Sequence, residues 1–258
     1  MTIVIGVAAP DGVILAADSR TTYTRGEHHR VASDTSHKLF AVRGRFAVAT
    51  YGISFVDGQT IAGQMDEFVA QLDPALSEVR PFADALGKFF DERVKKEYTE
   101  EELKDVYALL GFLVAGYDGA GIGQLLEVSL PGPEISGEIN TGSIGTLWRG
   151  QTDVVRRLIK GIDWSQLDVG EEKLSDAVQK GLENLEYNLL SPITLQDGVD
   201  FATFLIRTTI DMQRFSDGLL SRPGSIPGCG GQISVLAVTR AGTEWVEQPM
   251  LAAAATER

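Results

Sequence analysis

The chain has 258 residues, of which 43% are hydrophobic and 23% charged, a balance typical of a globular protein. Thirty-six acidic residues against 23 basic ones give a formal net charge of −13. This acidity argues against nucleic-acid binding and against docking on anionic membranes, because both partners need clustered lysines and arginines. The length fits one domain, and neither a linker nor an internal repeat divides residues 1–258.

The only cysteine is Cys229, so the chain can form no intrachain disulfide. This cysteine usage fits a reducing compartment and predicts a cytoplasmic protein. Neither a secretory signal nor a membrane span is expected, because the opening residues lack a positively charged start and no apolar run is long enough. No phosphate loop or zinc-ligand spacing predicts a cofactor or a metal site, and three loop histidines are expected to be surface residues.

The predicted elements begin with an apolar hairpin. Residues 2–9 and 13–18 read as strands, and Pro10-Asp11-Gly12 between them is a turn sequence. Both strands are apolar almost throughout, which predicts a hairpin covered on both faces. A long polar loop with room for one short strand is expected over residues 19–37, and a second hairpin over residues 38–51.

Helices and strands then alternate in blocks. Apolar residues recur every three or four positions through 61–72 and 82–94, which predicts two amphipathic helices. Two strands, joined by a glycine-rich turn, are expected over 107–117 and 124–130. In the rest of the chain, the apolar pattern predicts three helices, over 147–162, 174–189 and 199–215. Two final strands are expected over 232–239 and 243–246.

This order of elements predicts an α+β fold, a four-layer αββα sandwich. Two sheets that stack face to face, each with a helical layer outside, bury every apolar face in the pattern. The arrangement also explains the first hairpin, which would lie between the opposite sheet and a helical layer.

Thr2 directly follows the initiator methionine, and a residue this small usually leads to removal of Met1. An N-terminal threonine is both nucleophile and base, because an α-amine with a pKa of about 7.7–8.0 is partly neutral near pH 7. Position alone favours the plainer interpretation, in which Thr2 is only the first residue of a strand.

The wider pattern resembles the proteasome β-subunit family, which includes the bacterial HslV-type peptidases and other N-terminal-nucleophile hydrolases. The segments that carry the resemblance are Thr2–Val7, Asp11–Arg20, Lys38–Phe40 and Thr50–Gly52. The similarity is most specific over residues 2–52, and the order of elements agrees over the remainder. The fold of this family is the same αββα sandwich.

The resemblance implies a catalytic set. Thr2 would be the nucleophile, and Asp18 and Lys38 would form an ion pair beneath it. The ammonium would favour the ionised hydroxyl, and the carboxylate would hold the ammonium in place. Arg20 would brace this pair, and Gly52 would point its backbone N–H at the oxyanion.

Two further positions are implied near the nucleophile. Ser143, within residues 142–145 at an expected strand-to-helix junction, would relay a proton beside the threonine amine; on its residue type alone it is equally well a helix N-cap. Family members carry an Asp and a Ser after the penultimate long helix. The sequence here has Ser216 and Asp217 in a different order, so it stays open whether either completes the site.

The resemblance also implies a specificity pocket. The matching positions are small or neutral and predict an uncharged substrate side chain: Thr21, Ser36, Phe40, Thr50 and Ser54.

The implied function is that of a threonine peptidase that hydrolyses amide bonds in peptides or unfolded proteins. The resemblance further implies homo-oligomeric rings or spirals, and it leaves open whether an ATP-dependent unfoldase delivers substrates. Two alternatives remain: a non-catalytic ring subunit or binding protein on the same fold, and an amidase that acts on a small molecule.

Overall fold

The structure, a computed structural model, describes residues 2–25, 28–104, 106, 108–163, 178, 180–181, 193–216, 218–219, 222–223 and 226–248. The strands of the two main sheets are β1 (Ile3–Ala9), β2 (Gly12–Asp18), β5 (Leu39–Val42), β6 (Phe46–Gly52), β9 (Leu110–Tyr117), β10 (Gly123–Leu130), β11 (Glu134–Asn140), β12 (Gly145–Gly150), β15 (Ile233–Thr239) and β16 (Gly242–Glu247). Three short pairs are β3 (Thr21–Arg25) with β4 (His28–Ser33), β7 (Phe55–Val56) with β8 (Gln59–Thr60), and β13 (Gly218–Leu219) with β14 (Arg222–Pro223). The helices are α1 (Ile61–Gln71), α2 (Val79–Glu97), α3 (Glu100–Leu103), α4 (Asp153–Lys160) and α5 (Leu195–Phe215).

The ten strands of the main sheets form two five-stranded antiparallel sheets. The first sheet has the strand order β12-β1-β2-β15-β16, and the second has the order β11-β10-β9-β6-β5. The apolar hairpin predicted at the start of the chain is confirmed as β1 and β2, which lie inside the first sheet with Val4 opposite Ala17.

Three apolar clusters define the layers. One fills the space between the sheets, a second packs α1 and α2 on the second sheet, and a third packs α4 and α5 on the first sheet. Successive residues of β1 face opposite ways, so Val4 and Ala8 contact the other sheet while Ile5 and Val7 contact the helices. This alternation explains why the hairpin is apolar on both faces, and it confirms the predicted αββα sandwich.

The region before α4 differs from the prediction. We expected a helix from residue 147, but Gly145–Gly150 is strand β12, which pairs with β1 along its whole length. The apolar residue Leu147 fits a strand as well as a helix, and only the pairing with β1 decides between them. The helix itself begins at Asp153.

Four other elements complete the comparison with the sequence. The stretch expected to be a polar loop contains the β3–β4 hairpin, and strand β11 was not predicted. The helix expected over residues 174–189 lies largely outside the described residues. The long helix expected over 199–215 is confirmed as α5.

No helix in the described part of the chain is long and apolar enough to cross a membrane.

Replacing Phe82 with alanine should lower the free energy of unfolding by about 3–5 kcal/mol, because the fully buried ring would leave a cavity. The ring stacks on Phe46 with 4.2 Å between the ring centroids. Chemical denaturation measures the change. Phe215→Ala is the matched control, with an expected loss below about 1 kcal/mol because that side chain is 74% exposed. Equal losses in the two variants would contradict the assignment of this core.

Candidate active site

The site is built where strand β1 begins and strand β2 ends. These two strands are antiparallel neighbours, so Asp18, at the end of β2, lies beside the first residues of β1. The backbone N–H of Ile3 donates a hydrogen bond of 3.0 Å to Oδ1 of Asp18. Thr2 is 4% exposed and Asp18 is 1% exposed, so the start of the chain is anchored in the interior.

The Asp18 carboxylate accepts four hydrogen bonds. Oδ1 accepts from the Ile3 N–H and, at 2.7 Å, from Nζ of Lys38. Oδ2 accepts from the N–H of Arg20 at 3.1 Å and from the N–H of Gly230 at 3.0 Å. A buried carboxylate is costly unless its oxygens are fully bonded, and here each oxygen has two donors. The carboxylate therefore has one fixed position, and it joins four separate segments of the chain.

Lys38 is held from both ends. Its Nζ donates to the carbonyl of Arg20 at 2.5 Å as well as to Asp18. Its own carbonyl accepts from the N–H of Thr50 at 2.9 Å, which ties it to strand β6. The buried ammonium is thus oriented toward the start of β1, as the resemblance implies for the catalytic lysine.

Arg20 braces the ion pair through its backbone and through its side chain. Its backbone N–H donates to Asp18, and its carbonyl accepts from Lys38. Its guanidinium forms a two-pronged ion pair with Asp34, at 2.6 and 2.9 Å. This pairing raises the pKa of Arg20 and lowers the pKa of Asp34. Asp34 was not predicted, because its partner is distant in the sequence and no local pattern marks the contact.

Gly52 ends strand β6 in a conformation that suits glycine. Its φ is +96°, and a Cβ atom there would lie 2.2 Å from the carbonyl oxygen of Leu109. Any larger residue would have to displace the backbone of the neighbouring strand. The glycine therefore allows the chain to turn beside the pocket without blocking it.

A pocket of about 460 Å³ brings the predicted residues together. Thr2, Lys38 and Gly52 all line it. Four of the five predicted specificity positions line it as well: Thr21, Ser36, Thr50 and Ser54. The Thr21 and Ser36 hydroxyls are 2.8 Å apart and hydrogen-bonded.

The fifth specificity position, Phe40, lies apart from the other four in the structure. It is not among the residues that line the pocket, and it packs against the apolar cluster under α1 and α2. Strand β5 alternates its side chains, so Leu39 faces the other sheet while Phe40 faces the helices.

The structure does not place Ser143 beside the Thr2 amine, where the resemblance implied it. This residue lies in the exposed turn between β11 and β12, where its hydroxyl is 3.4 Å from the side-chain and backbone oxygens of Asn140. Strand β12 runs antiparallel to β1, with Gly145 opposite Ala8 and Gly150 opposite Ile3. Ser143 is therefore separated from the start of β1 by the length of that strand, roughly 20 Å.

The strand-to-helix junction beside Thr2 is formed by Gln151 and Thr152, which the sequence analysis missed. The N–H of Gln151 donates to the Thr2 carbonyl at 2.7 Å, and both junction side chains are buried. The Gln151 amide in turn donates to Asp153 at 2.6 Å. The signal that marks this junction is Thr152 followed by Asp153, a threonine and an acidic residue at a helix start.

Of the two candidates after the long helix, the structure describes only Ser216. Ser216 is the exposed residue that ends α5, and Asp217 lies outside the described residues. Cys229 is fully buried, and its N–H donates to the Gln213 side chain at 3.0 Å. Burial, and then the nearby charge of Asp18, raise the pKa of this thiol, so it stays protonated and does not act as a nucleophile.

A sandwich of two antiparallel sheets between helical layers, with a buried threonine over an Asp–Lys pair, defines the class of N-terminal-nucleophile hydrolase folds. Residues 2–152 match the model of the family described as proteasome subunit, and the chain belongs to that family. No curated protein sequence gives a significant match.

Solved structures with a similar fold include three proteins called Anbu. The ancestral beta-subunit from Yersinia bercovieri is 14% identical with a TM-score of 0.51, over 95% of this chain and 88% of that one. The helical assembly of the Anbu complex from Pseudomonas aeruginosa is 16% identical with a TM-score of 0.58, over 95% and 87%. The Gly-1 mutant from Hyphomicrobium sp. strain MC1 is 12% identical with a TM-score of 0.52, over 96% and 87%. At such identities the likeness shows a shared fold.

Asp18→Asn should lower the free energy of unfolding by about 3–5 kcal/mol, because it leaves the Lys38 ammonium buried without a counter-charge. Chemical denaturation at neutral pH measures this loss. The control is Asp34→Asn, whose side chain is 45% exposed, so solvent screening limits the loss to below about 1 kcal/mol. If Asp18→Asn is as stable as the control, the carboxylate is not the central anchor.

The Arg20–Asp34 pair should make a small pH-dependent contribution to stability. The folded state lowers the pKa of Asp34, so the contribution is full above the unfolded value of about 3.9 and is lost as pH falls through the folded pKa. The difference in unfolding free energy between wild type and Asp34→Asn should be constant above about pH 5 and shrink toward pH 3. A difference that grows on acidification would contradict this.

Proposed function

We propose that this chain is a threonine peptidase that hydrolyses amide bonds with Thr2, once Met1 has been removed. One observation carries the proposal: a single carboxylate, that of Asp18, holds both the ammonium of Lys38 and the backbone of Ile3, the residue that follows the proposed nucleophile. Gly52 lines the same pocket as Thr2 and Lys38. A buried ion pair is no obvious aid to stability, so a role in chemistry is the better explanation for it.

The reaction uses groups that this arrangement supplies. The Thr2 amine takes the hydroxyl proton, and the Lys38 charge stabilises the oxygen as it attacks the substrate carbonyl carbon. The N–H of Gly52 stabilises the tetrahedral oxyanion. The protonated amine then returns its proton to the leaving amine as the C–N bond breaks, which leaves an ester on Thr2. A water molecule, deprotonated by the same amine, hydrolyses that ester and frees the hydroxyl.

The pocket suits an uncharged substrate side chain. Among the lining residues that the structure describes, hydroxyl and apolar side chains predominate, and the basic side chains are those of Lys38 and His37. The Lys38 charge is already matched by Asp18. A charged substrate side chain would therefore lose water without gaining an opposite charge.

Assembly and location extend the proposal. One of the similar structures is titled as a helical assembly, and by analogy this chain forms a homo-oligomeric spiral or ring. Such an assembly would limit access to the site to unfolded segments or peptides, with or without an unfoldase. The protein works in the cytoplasm as a single domain, in keeping with a lone cysteine that can form no intrachain disulfide.

A non-catalytic subunit is the second candidate. It is favoured by the position of Ser143, which is too far from Thr2 to relay a proton. On this hypothesis the Asp18–Lys38 pair would hold the start of β1 for packing within an assembly, and Thr2 would react with nothing.

A labelling experiment distinguishes the threonine peptidase from the non-catalytic subunit. The protein is treated with an electrophile selective for N-terminal threonine and is then analysed by intact mass and peptide mapping. Native protein should lack Met1 and carry one adduct, on Thr2. Thr2→Ala should lose the adduct, while Thr2→Ser, which keeps a hydroxyl, should retain it. Lys38→Ala should slow labelling at least about 100-fold, because the charge beside the nucleophile is gone.

The control is Lys88→Ala, at an exposed lysine on α2, which should label at the wild-type rate. Thermal unfolding of each variant checks that a slow rate is not the result of misfolding. Retained Met1 in native protein, or an adduct on another residue, would favour the non-catalytic subunit. Fluorogenic peptides compared with small amides of the same leaving group would then distinguish a peptidase from a small-molecule amidase.

A further inference from the structure

Three polar side chains meet at the edge of the apolar cluster between the two sheets, where Tyr51 and Glu127 are buried and Arg149 is 35% exposed. Glu127 is 2% exposed, and its Oε1 accepts a hydrogen bond of 2.6 Å from the Tyr51 hydroxyl. The Arg149 guanidinium donates to both oxygens of the same carboxylate. We call Tyr51, Glu127 and Arg149 the inter-sheet clamp. A buried ion pair is weak evidence for stability, because apolar residues of similar size often fill such a space equally well, so we looked to the site for the role of the clamp.

The clamp joins the two sheets at the end where the site lies. Tyr51 belongs to β6 and Glu127 to β10, both in the second sheet, whereas Arg149 belongs to β12 at the edge of the first. Strand β12 pairs with β1, and β1 begins at Ile3, the residue after Thr2. The carboxylate therefore connects the sheet that carries the nucleophile to the sheet that carries the oxyanion donor.

One end of the clamp directly precedes Gly52 in the sequence, and the other end lies two residues before Gln151, which bonds Thr2. Tyr51 directly precedes Gly52 and also lines the pocket. Arg149 is followed by Gly150, which lies opposite Ile3, and by Gln151, whose N–H bonds the Thr2 carbonyl at 2.7 Å. A shift of either clamp residue would move its neighbour in the site by a similar amount.

The tyrosine ring has little freedom to move. A Cβ atom on Gly111 would lie 2.2 Å from Cζ of Tyr51, so the ring lies flat on β9 at a place where only glycine leaves room. Burial, together with the hydrogen bond to Glu127, raises the pKa of the phenol above its ordinary value. The hydroxyl therefore stays protonated and donates to the carboxylate throughout the neutral pH range.

We propose that the inter-sheet clamp sets the separation between the Thr2 hydroxyl and the Gly52 N–H, with Glu127 as its central positioning residue. This inference rests on the proposed function, because it concerns the geometry of that reaction. None of the three side chains exchanges a proton with substrate. Their contribution is to keep nucleophile and oxyanion donor at the distance that a tetrahedral intermediate requires, where an error of about 1 Å costs up to 100-fold in rate.

The test is the labelling reaction resolved into the rate of bond formation, kinact, and the affinity of the electrophile, KI. Tyr51→Phe keeps the ring on Gly111 but removes the hydrogen bond to Glu127, and it should lower kinact about tenfold with KI unchanged within about twofold. Arg149→Lys keeps the charge but loses the two-pronged contact with Glu127, and it should also lower kinact. The matched control is Tyr117→Phe, at the opposite end of β9, which should behave as wild type.

Two further readouts distinguish positioning from a general loss of structure. Labelling is measured well below the unfolding midpoint of each variant, where a purely structural residue would leave kinact of the folded protein unchanged. The pH dependence of kinact in Tyr51→Phe should keep the wild-type midpoint, because a positioning residue transfers no proton. A shifted midpoint would overturn the positioning role.

The outcomes distinguish a failure of the positioning role from a failure of the proposed peptidase function. If wild-type protein is not labelled on Thr2, the proposed function fails and the clamp has no reaction to serve. If wild type is labelled and both clamp variants label at the wild-type kinact, the positioning role alone is overturned. A tenfold loss confined to kinact in the clamp variants, with Tyr117→Phe unaffected, supports it.

Discussion

The Asp18 carboxylate is the constraint on which the rest of this site depends. Its four hydrogen bonds gather the start of β1, the Lys38 ammonium, the backbone at Arg20 and the turn at Gly230 around one buried charge. A charge in the interior is tolerated only where all its oxygens are bonded, so none of these segments can move alone without leaving a donor or an acceptor unpaired. The geometry of the candidate nucleophile follows from that requirement.

The sandwich supplies this carboxylate with its surroundings. Strand β1 has apolar contacts on both faces, so the strand that follows Thr2 cannot slide without exposing one of its two apolar rows. The second sheet brings Gly52 to the pocket that Thr2 also lines, and Glu127 links the two sheets through Tyr51 and Arg149. The apolar core thus fixes the start of β1 and the end of β6, and the polar contacts fix the residues at these two strand ends.

Much of the site could be predicted because residues 2–52, over which the chain resembles the proteasome β-subunit family, supply its central residues. A turn of fixed length sets the register of β1 and β2, and this register alone places Asp18 beside the start of the chain. The errors arose where tertiary contacts decide. Leu147 suits a helix or a strand, so the start of α4 and with it the position of Ser143 were misjudged. Asp34 and Glu127 have partners far away in sequence, and no local pattern could identify them.

A crystal structure of the protein without Met1, covalently modified by a threonine-selective electrophile, tests the central claim most directly. The account predicts a bond from the reagent to Oγ1 of Thr2 and a reagent oxygen within about 3 Å of the Gly52 N–H, the reach of a hydrogen bond. The four donors to Asp18 should remain in place. Electron density that shows Lys38 turned away from Asp18, with Thr2 unmodified, would contradict it.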